Sequence, residues 1–235
     1  MFASAAPTRQ QQKADVAVVS NCVNTGQVAL TFDDGPYIYD EGVTRYLEDS
    51  KVTFFLNGNN WACIYDRADE LRALYAAGHT LGSHGWSHAH SDALTLDQIN
   101  NELAMVEEAF IRILGVRPLY FRPPYGEYND LLLSALSDRG YKKMFLWTDD
   151  IDDADLAPVN QSKNVYDQVA SSYPAPHIIL DHSTYNSTIN DVVPYGVAEL
   201  KERGYKLVSV DACMGGQGEW PYEWVGEPQN GNWQC

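Results

Sequence analysis

Residues 28–36, VALTFDDGP, constrain this chain more than any other stretch. Val28, Ala29, Leu30 and Phe32 read as one buried strand, two aspartates follow at once, and Gly-Pro ends the run. A carboxylate left unpaired in an apolar interior is too costly to persist. Asp33 and Asp34 at the mouth of a buried strand therefore call for a cation, either an arginine or a metal. Taken alone, the same residues would also suit a turn with an aspartate capping the next helix. The rest of the chain has to decide.

A helix–strand rhythm repeats along it. Helical patterns end at Gly78, Gly140 and Gly204, and a strand-like run follows each. Glycine is the usual residue just past a helix, where the backbone turns left-handed. The alternation predicts a parallel sheet, with seven strands over 27–33, 52–57, 80–84, 119–122, 141–147, 177–182 and 205–210. Thr95-x-x-Gln98 reads as a capping box, and Leu96, Ile99, Leu103, Val106, Phe110 and Ile113 then form one apolar stripe. Shorter helical patterns lie around 43–47, 71–75, 131–136 and 193–200. The expected class is α/β in one domain: an incomplete or distorted TIM-like barrel, with a doubly wound open sheet as the alternative. Both folds place their sites at the C-terminal ends of parallel strands.

Those ends carry chemistry. The first strand ends in Asp33-Asp34 and the third in Ser83-His84-Gly-Trp-Ser-His88. The fourth ends in Arg122-Pro-Pro-Tyr125-Gly126, the fifth in Trp147 and the acidic run 149–155, the sixth in Leu180-Asp-His182. Nearly every ionisable group that metal-assisted hydrolysis requires thus falls at a strand end. His84 and His88 are spaced i, i+4, so a helical turn after the strand would put both rings on one face to grip one metal. A carboxylate from a neighbouring strand end would complete a two-His, one-carboxylate site with positions left open for water and substrate. A non-haem iron oxygenase would use the same ligands, but signs of secretion weigh against it. The acidic run lacks the glycine and distal glutamate of a calcium loop and reads as solvated. His79 and His177 sit at strand starts and are expected to be structural, and His90 could reach the metal only through an irregular turn.

The formal net charge of −16, from 16 Lys+Arg against 32 Asp+Glu, argues against nucleic acid and anionic membrane surfaces. A neutral polymer or a cationic product would be tolerated. No apolar run approaches the ~18 residues of a membrane span. Residues 1–14 are small and polar without an apolar centre, so a disordered leader or tag is expected, with any signal peptide expected to have been removed. Cys22, Cys63, Cys213 and Cys235 contain no C-x-x-C pair, which excludes a zinc knuckle or thioredoxin motif. With the glycosylation sequons at Asn160 and Asn186, they favour an oxidising, secreted setting. Pairing Cys22 with Cys213 would tie the first strand to the last and leave Cys63 for Cys235.

On these motifs the chain resembles the polysaccharide deacetylases with a NodB-homology domain, carbohydrate esterase family four, and most closely their fungal chitin-deacetylase members. The resemblance covers residues 20–235. TFDDGP, RPPYG and the L-x-H of 180–182 match the first, third and fifth motifs, and TFFLNGNNW (53–61) has the fungal look. The Cys22–Cys213 pairing looks fungal too. The resemblance implies a distorted (β/α)7 barrel over 20–212; a disordered leader is expected over 1–19, and a disulfide-tied tail over 213–235 covering the barrel, too short for a module of its own. It implies Asp33 as general base, oriented by Arg122, and Asp34, His84 and His88 as ligands of Zn2+, with Co2+ or another divalent metal as substitute. His182 would be the general acid, tuned by Asp153. The Tyr125 backbone N–H would bind the oxyanion, Leu180 would line the acetyl-methyl pocket, and Trp61 is the candidate for sugar stacking. The implied activity is removal of N-acetyl groups from chitin or its oligosaccharides by a secreted or cell-wall monomer. Acetylated xylan and peptidoglycan are the alternative substrates, and chitin-fragment binding without turnover is the alternative function. Two positions depart from the family pattern. Gly85 stands where the family has Ser or Thr, so a less rigid loop is expected, and Ala154 replaces an aromatic beside the acid, which alters the expected acetyl pocket.

Overall fold

The computed structural model describes residues 16–215 and 220–235. Its strands are β1 Ala17–Val19, β2 Gln27–Asp33, β3 Thr53–Leu56, β4 Thr80–Ser83, β5 Val116–Pro118, β6 Tyr120–Phe121, β7 Lys143–Phe145, β8 Asp149–Asp150, β9 His177–His182, β10 Lys206–Val208 and β11 Tyr222–Trp224. All except β5 and β11 join one parallel sheet in the order β1-β7-β6-β4-β3-β2-β9-β8, with β10 added beside β2. The order runs from β1 to β8 without closing, so the sheet is a curled, open barrel, as the motifs imply. The helices are α1 Asp40–Thr44, α2 Ala68–Ala76, α3 Leu96–Leu114, α4 Asp130–Asp138, α5 Val159–Ser171, α6 Val193–Arg203 and α7 Val210–Cys213.

β2 is central because three strands pair with it. β9 runs along one side from Val28 to Asp33, while β10 and β3 share the other, at 27–29 and 31–32. Strand alternation then sorts its residues. Val28, Leu30 and Phe32 enter the main core with the helices, and Ala29 enters a second cluster with Phe55, Tyr120, Phe145 and Ile178 inside the curl. Each such apolar side chain, fully buried, contributes about 1.5–3 kcal/mol. Thr31 and Asp33 share the inner face with Ala29, which is how a carboxylate comes to lie in the barrel mouth. The α3 capping box forms as expected: Thr95 Oγ1 accepts the Gln98 N–H and Gln98 Oε1 accepts the Thr95 N–H. Gly115 ends the helix at φ 74.

Three expectations need correction. A segment outside the fold over 1–19 is too long, because Ala17–Val19 pairs in parallel with Lys143–Phe145; the polar stretch 1–14 lies outside the described residues. Seven strands were expected, yet the sheet has nine, because β1 and the acidic β8 are too short to show alternation. α5 went unread because a buried serine, Ser162, interrupts its inward stripe of Tyr166, Val169 and Ala170. Disulfides join Cys22 to Cys213 and Cys63 to Cys235. In the C-terminal segment, β11 pairs antiparallel with β5, and Tyr222 accepts the Leu81 N–H through its hydroxyl. No helix among the described residues is long and apolar enough to cross a membrane.

Candidate active site

The site opens at the C-terminal ends of β2, β4, β6 and β9. Asp33 is the last residue of β2 and points inward. Alternation would send Asp34 to the opposite face, but Asp34 adopts φ 71, a conformation rare for a non-glycine residue. That left-handed step turns both carboxylates into one cleft. Opposite them, Arg122 is fully buried, with Nη1 donating to Asp33 Oδ1 at 2.9 Å and to Thr31 Oγ1 at 2.7 Å. Its Nη2 donates to the Leu146 carbonyl, and the guanidinium lies 4.4 Å from the Phe55 ring centroid. Asp33 therefore has one oxygen fixed by a cation, while Oδ2 faces the cleft 3.7 Å from His84 Nε2.

Asp34, His84 and His88 form the candidate metal centre. Asp34 Oδ1 is buried without a hydrogen bond, 3.1 Å from His88 Nε2 and 3.6 Å from His84 Nε2. Two ligands of one tetrahedral zinc stand about 3.4 Å apart, so these three atoms are spaced as a shared cation would hold them. His84 Nδ1 lies 2.8 Å from the Arg122 carbonyl, which can only accept. That fixes the tautomer and leaves the Nε2 lone pair facing the centre. Burial pushes the His84 pKa down, against the pull of Asp33 and Asp34. Burial alone would raise Asp34, but contact with His88 and the charges of His84, His88 and His182 bring it down to about 2. Neutral imidazoles with an ionised carboxylate are the forms that ligate a divalent cation.

The expected helical turn between the two histidines is absent. The chain after β4 is irregular, with Gly85 at φ 76 and His88 at φ 56, and it brings the ring centroids to 5.0 Å. Nor is this loop loosely held. The Asn57 side-chain amide donates to the carbonyls of His84 and Gly85, and Glu102 accepts hydrogen bonds from Trp86 and Ser87. His90 turns away from the centre, pairs with Glu127 at 2.7 Å and stacks on Tyr125 at 4.0 Å. His79 and His177 are structural: His79 Nδ1 accepts the Val52 N–H, and His177 bridges Asp149 and Ser172.

Across the cleft, His182 ends β9 with Nδ1 bonded to Asp153 Oδ1 at 2.7 Å, while Asp153 Oδ2 accepts the His182 backbone N–H and the Thr188 hydroxyl. Burial disfavours the imidazolium, but Asp153, with Asp33 and Asp34 behind it, raises His182 to about 9. The acidic run is thus more than a solvated loop. The cleft, of about 520 Å³, is lined among others by Trp61, Tyr125, Leu180 and Tyr185, and also by Ala154. Trp61 is 44% exposed and packs edge-on to Tyr185. Tyr125 takes φ 60 at the rim. Sequence reasoning missed Thr31, Asn57, Glu102 and Thr188. Only Thr188 drew notice, as the third residue of a sequon. Asn160 and Asn186 are both exposed.

Asp33 braced by Arg122, His182 braced by Asp153 and the candidate metal centre between them line one cleft. Residues 20–144 match the family model for polysaccharide deacetylases. A chitin deacetylase of Pestalotiopsis sp is 34% identical over 91% of this chain and 72% of its own length. The solved chitin deacetylase of the fungal pathogen Colletotrichum lindemuthianum aligns with a TM-score of 0.82 at 29% identity, covering 89% of this chain and 96% of that one. A peptidoglycan-N-acetylglucosamine deacetylase of Bacillus cereus is 28% identical over 81% of this chain and 69% of its own length. The chain belongs to the polysaccharide deacetylase family.

Proposed function

We propose that this protein is a secreted, zinc-dependent deacetylase that removes N-acetyl groups from N-acetylglucosamine units of chitin or its oligosaccharides, releasing acetate. The observation that carries this reading is the placement of Asp33–Arg122, His182–Asp153 and the Asp34–His84–His88 centre around one cleft. The likeness to fungal chitin deacetylases supports the substrate, and two disulfides agree with an oxidising compartment.

A divalent cation on Asp34, His84 and His88 would supply Lewis-acid polarisation of the acetyl carbonyl and acidify a water. The protein's own groups do the remaining work. Asp33, oriented by Arg122, accepts the proton of the water whose oxygen attacks the acetyl carbon. The Tyr125 N–H at the rim is the oxyanion donor, and Leu180 receives the acetyl methyl. An amine leaves poorly unless protonated, so His182, kept charged by Asp153, gives its proton to the nitrogen as the C–N bond breaks. Acetate and a glucosamine unit result. Trp61 offers its face to a sugar ring.

Acetate release from chitin tetramer to hexamer tests the reading, with acetylated xylan and peptidoglycan alongside, each with zinc, after chelation and with Asp33→Asn. Release from chitin oligomers that needs both metal and Asp33 is expected. Release from peptidoglycan alone would move the substrate to that polymer. No release anywhere, with zinc still bound, would leave a chitin-binding protein.

A further inference from the structure

We infer that Glu102, on α3, is a positioning residue for the metal centre: its carboxylate clamps the loop 84–88 and thereby sets where His88 presents its ligand nitrogen. The inference rests on reading Asp34, His84 and His88 as the metal site. Oε2 accepts the backbone N–H groups of Trp86 and Ser87, both at 2.8 Å, and Oε1 accepts the Ser87 hydroxyl at 2.8 Å. Adjacent N–H groups converging on one ionised acceptor make strong, charge-assisted bonds.

The loop needs such a clamp. It is not helical, and two of its five residues, Gly85 and His88, have left-handed backbones, a state that persists in a histidine only when its surroundings enforce it. Its first half is tied to β3 and the turn after it. His84 N–H donates to the Leu56 carbonyl, Asn57 Nδ2 donates to the carbonyls of His84 and Gly85, and the Trp86 carbonyl accepts the Asn59 N–H. Glu102 supplies the bonds to the second half, at the two residues that lead directly into His88. Gly85 suits its left-handed backbone at φ 76, and a Cβ there would meet Glu102 Oε2 only at an ordinary contact distance of 3.5 Å. Where the family pattern has a hydroxyl after the first histidine, this chain ties the loop through the Glu102 carboxylate instead.

Groups that orient metal ligands typically change metal affinity 10–100-fold when removed. Zinc dissociation constants, measured by competition with a chromogenic chelator, test the assignment on wild type, Glu102→Gln, Ser87→Ala and Glu107→Gln. Glutamine keeps the size but turns an N–H2 toward donors, so Glu102→Gln is expected to bind zinc at least tenfold more weakly. Glu107 sits on the same helix and pairs with Arg139 instead. Glu107→Gln should lower the melting temperature and leave zinc affinity within twofold, which separates positioning from general support of α3. Folded Glu102→Gln with zinc affinity within twofold of wild type would overturn the inference, as would an equal loss in Glu107→Gln. If Glu102→Gln does not fold, Ser87→Ala decides, with a threefold or greater weakening expected and no change overturning it. Wild type that binds no zinc would instead refute the metal reading itself.

Discussion

Asp153 grips His182 at two points, the imidazole Nδ1 through one carboxylate oxygen and the backbone N–H through the other, at 2.7 and 2.9 Å. The first contact favours the charged ring and the second fixes where the ring stands. His182 is raised to about 9, so it stays protonated at neutral pH, and if it is the proposed acid, turnover falls as pH rises through that value. Asp153→Asn keeps the shape and removes the charge. Burial is then opposed only by the weaker pull of Asp33 and Asp34 and the pKa drops, so the alkaline limb of the kcat profile should move down by at least about one pH unit. A pH–rate series on both proteins checks it, and an unmoved limb would remove His182 from the acid's role.

Arg122 is wholly buried against Asp33. Breaking a buried pair from one side leaves an uncompensated charge and costs about 3–5 kcal/mol. Arg122→Met should therefore lower the melting temperature by roughly 10 °C as well as abolish turnover. Calorimetry beside activity reads both. A variant as stable as wild type would show that Asp33 does not depend on its partner.

Asp40, fully buried behind the Asp33–Asp34 turn, accepts the Tyr37 N–H through Oδ2. Burial pushes its carboxyl up to about 7, against the smaller lowering from that bond. A carboxyl whose folded pKa is raised costs nothing below its unfolded value near 3.8. Its cost then grows with pH and levels off above about 7. Asp40→Asn should thus stabilise the protein by roughly 2–4 kcal/mol at pH 8 and by little at pH 4. Denaturant titrations at the two pH values give the comparison, and a gain of equal size at both would contradict the ionisation account.

Trp61 presents an exposed face to the cleft, tilted against Tyr37 and edge-on to Tyr185. It touches no group of the acid, the base or the metal centre in the contacts described. Trp61→Ala should raise KM for chitin oligosaccharides about tenfold, equivalent to about 1.4 kcal/mol, and change kcat far less. Loss confined to kcat would place Trp61 in the chemistry rather than in sugar binding.

The proposed ligands and the proposed acid–base pair could be picked out in the chain because all but His88 end a strand or directly follow one, where position alone gives direction. Asp33, His84, Arg122 and His182 carry that signal. Glu102, Asn57 and Thr188 do not. Their bonds to the loop and to Asp153 span 15 to 35 residues, and a lone Glu, Asn or Thr has no period or spacing that announces a distant partner. The turn joining the histidines was misread for a related reason. Spacing of i, i+4 suits a helix, but two left-handed residues, one of them a histidine, reach the same proximity by another path. α5 and β8 escaped because polar residues occupy positions where burial usually leaves an apolar signature.

Thr188 belongs to two grammars at once. It completes the sequon that begins at Asn186, and its hydroxyl is spent inside the protein on Asp153. Erasing that sequon by replacing the threonine would weaken the support of Asp153 and His182 together with any glycan, and any lost activity would then be blamed on the wrong cause. The exposed Asn186 is the residue to change, since it removes any glycan while the hydrogen bonds of Asp153 stay as they are.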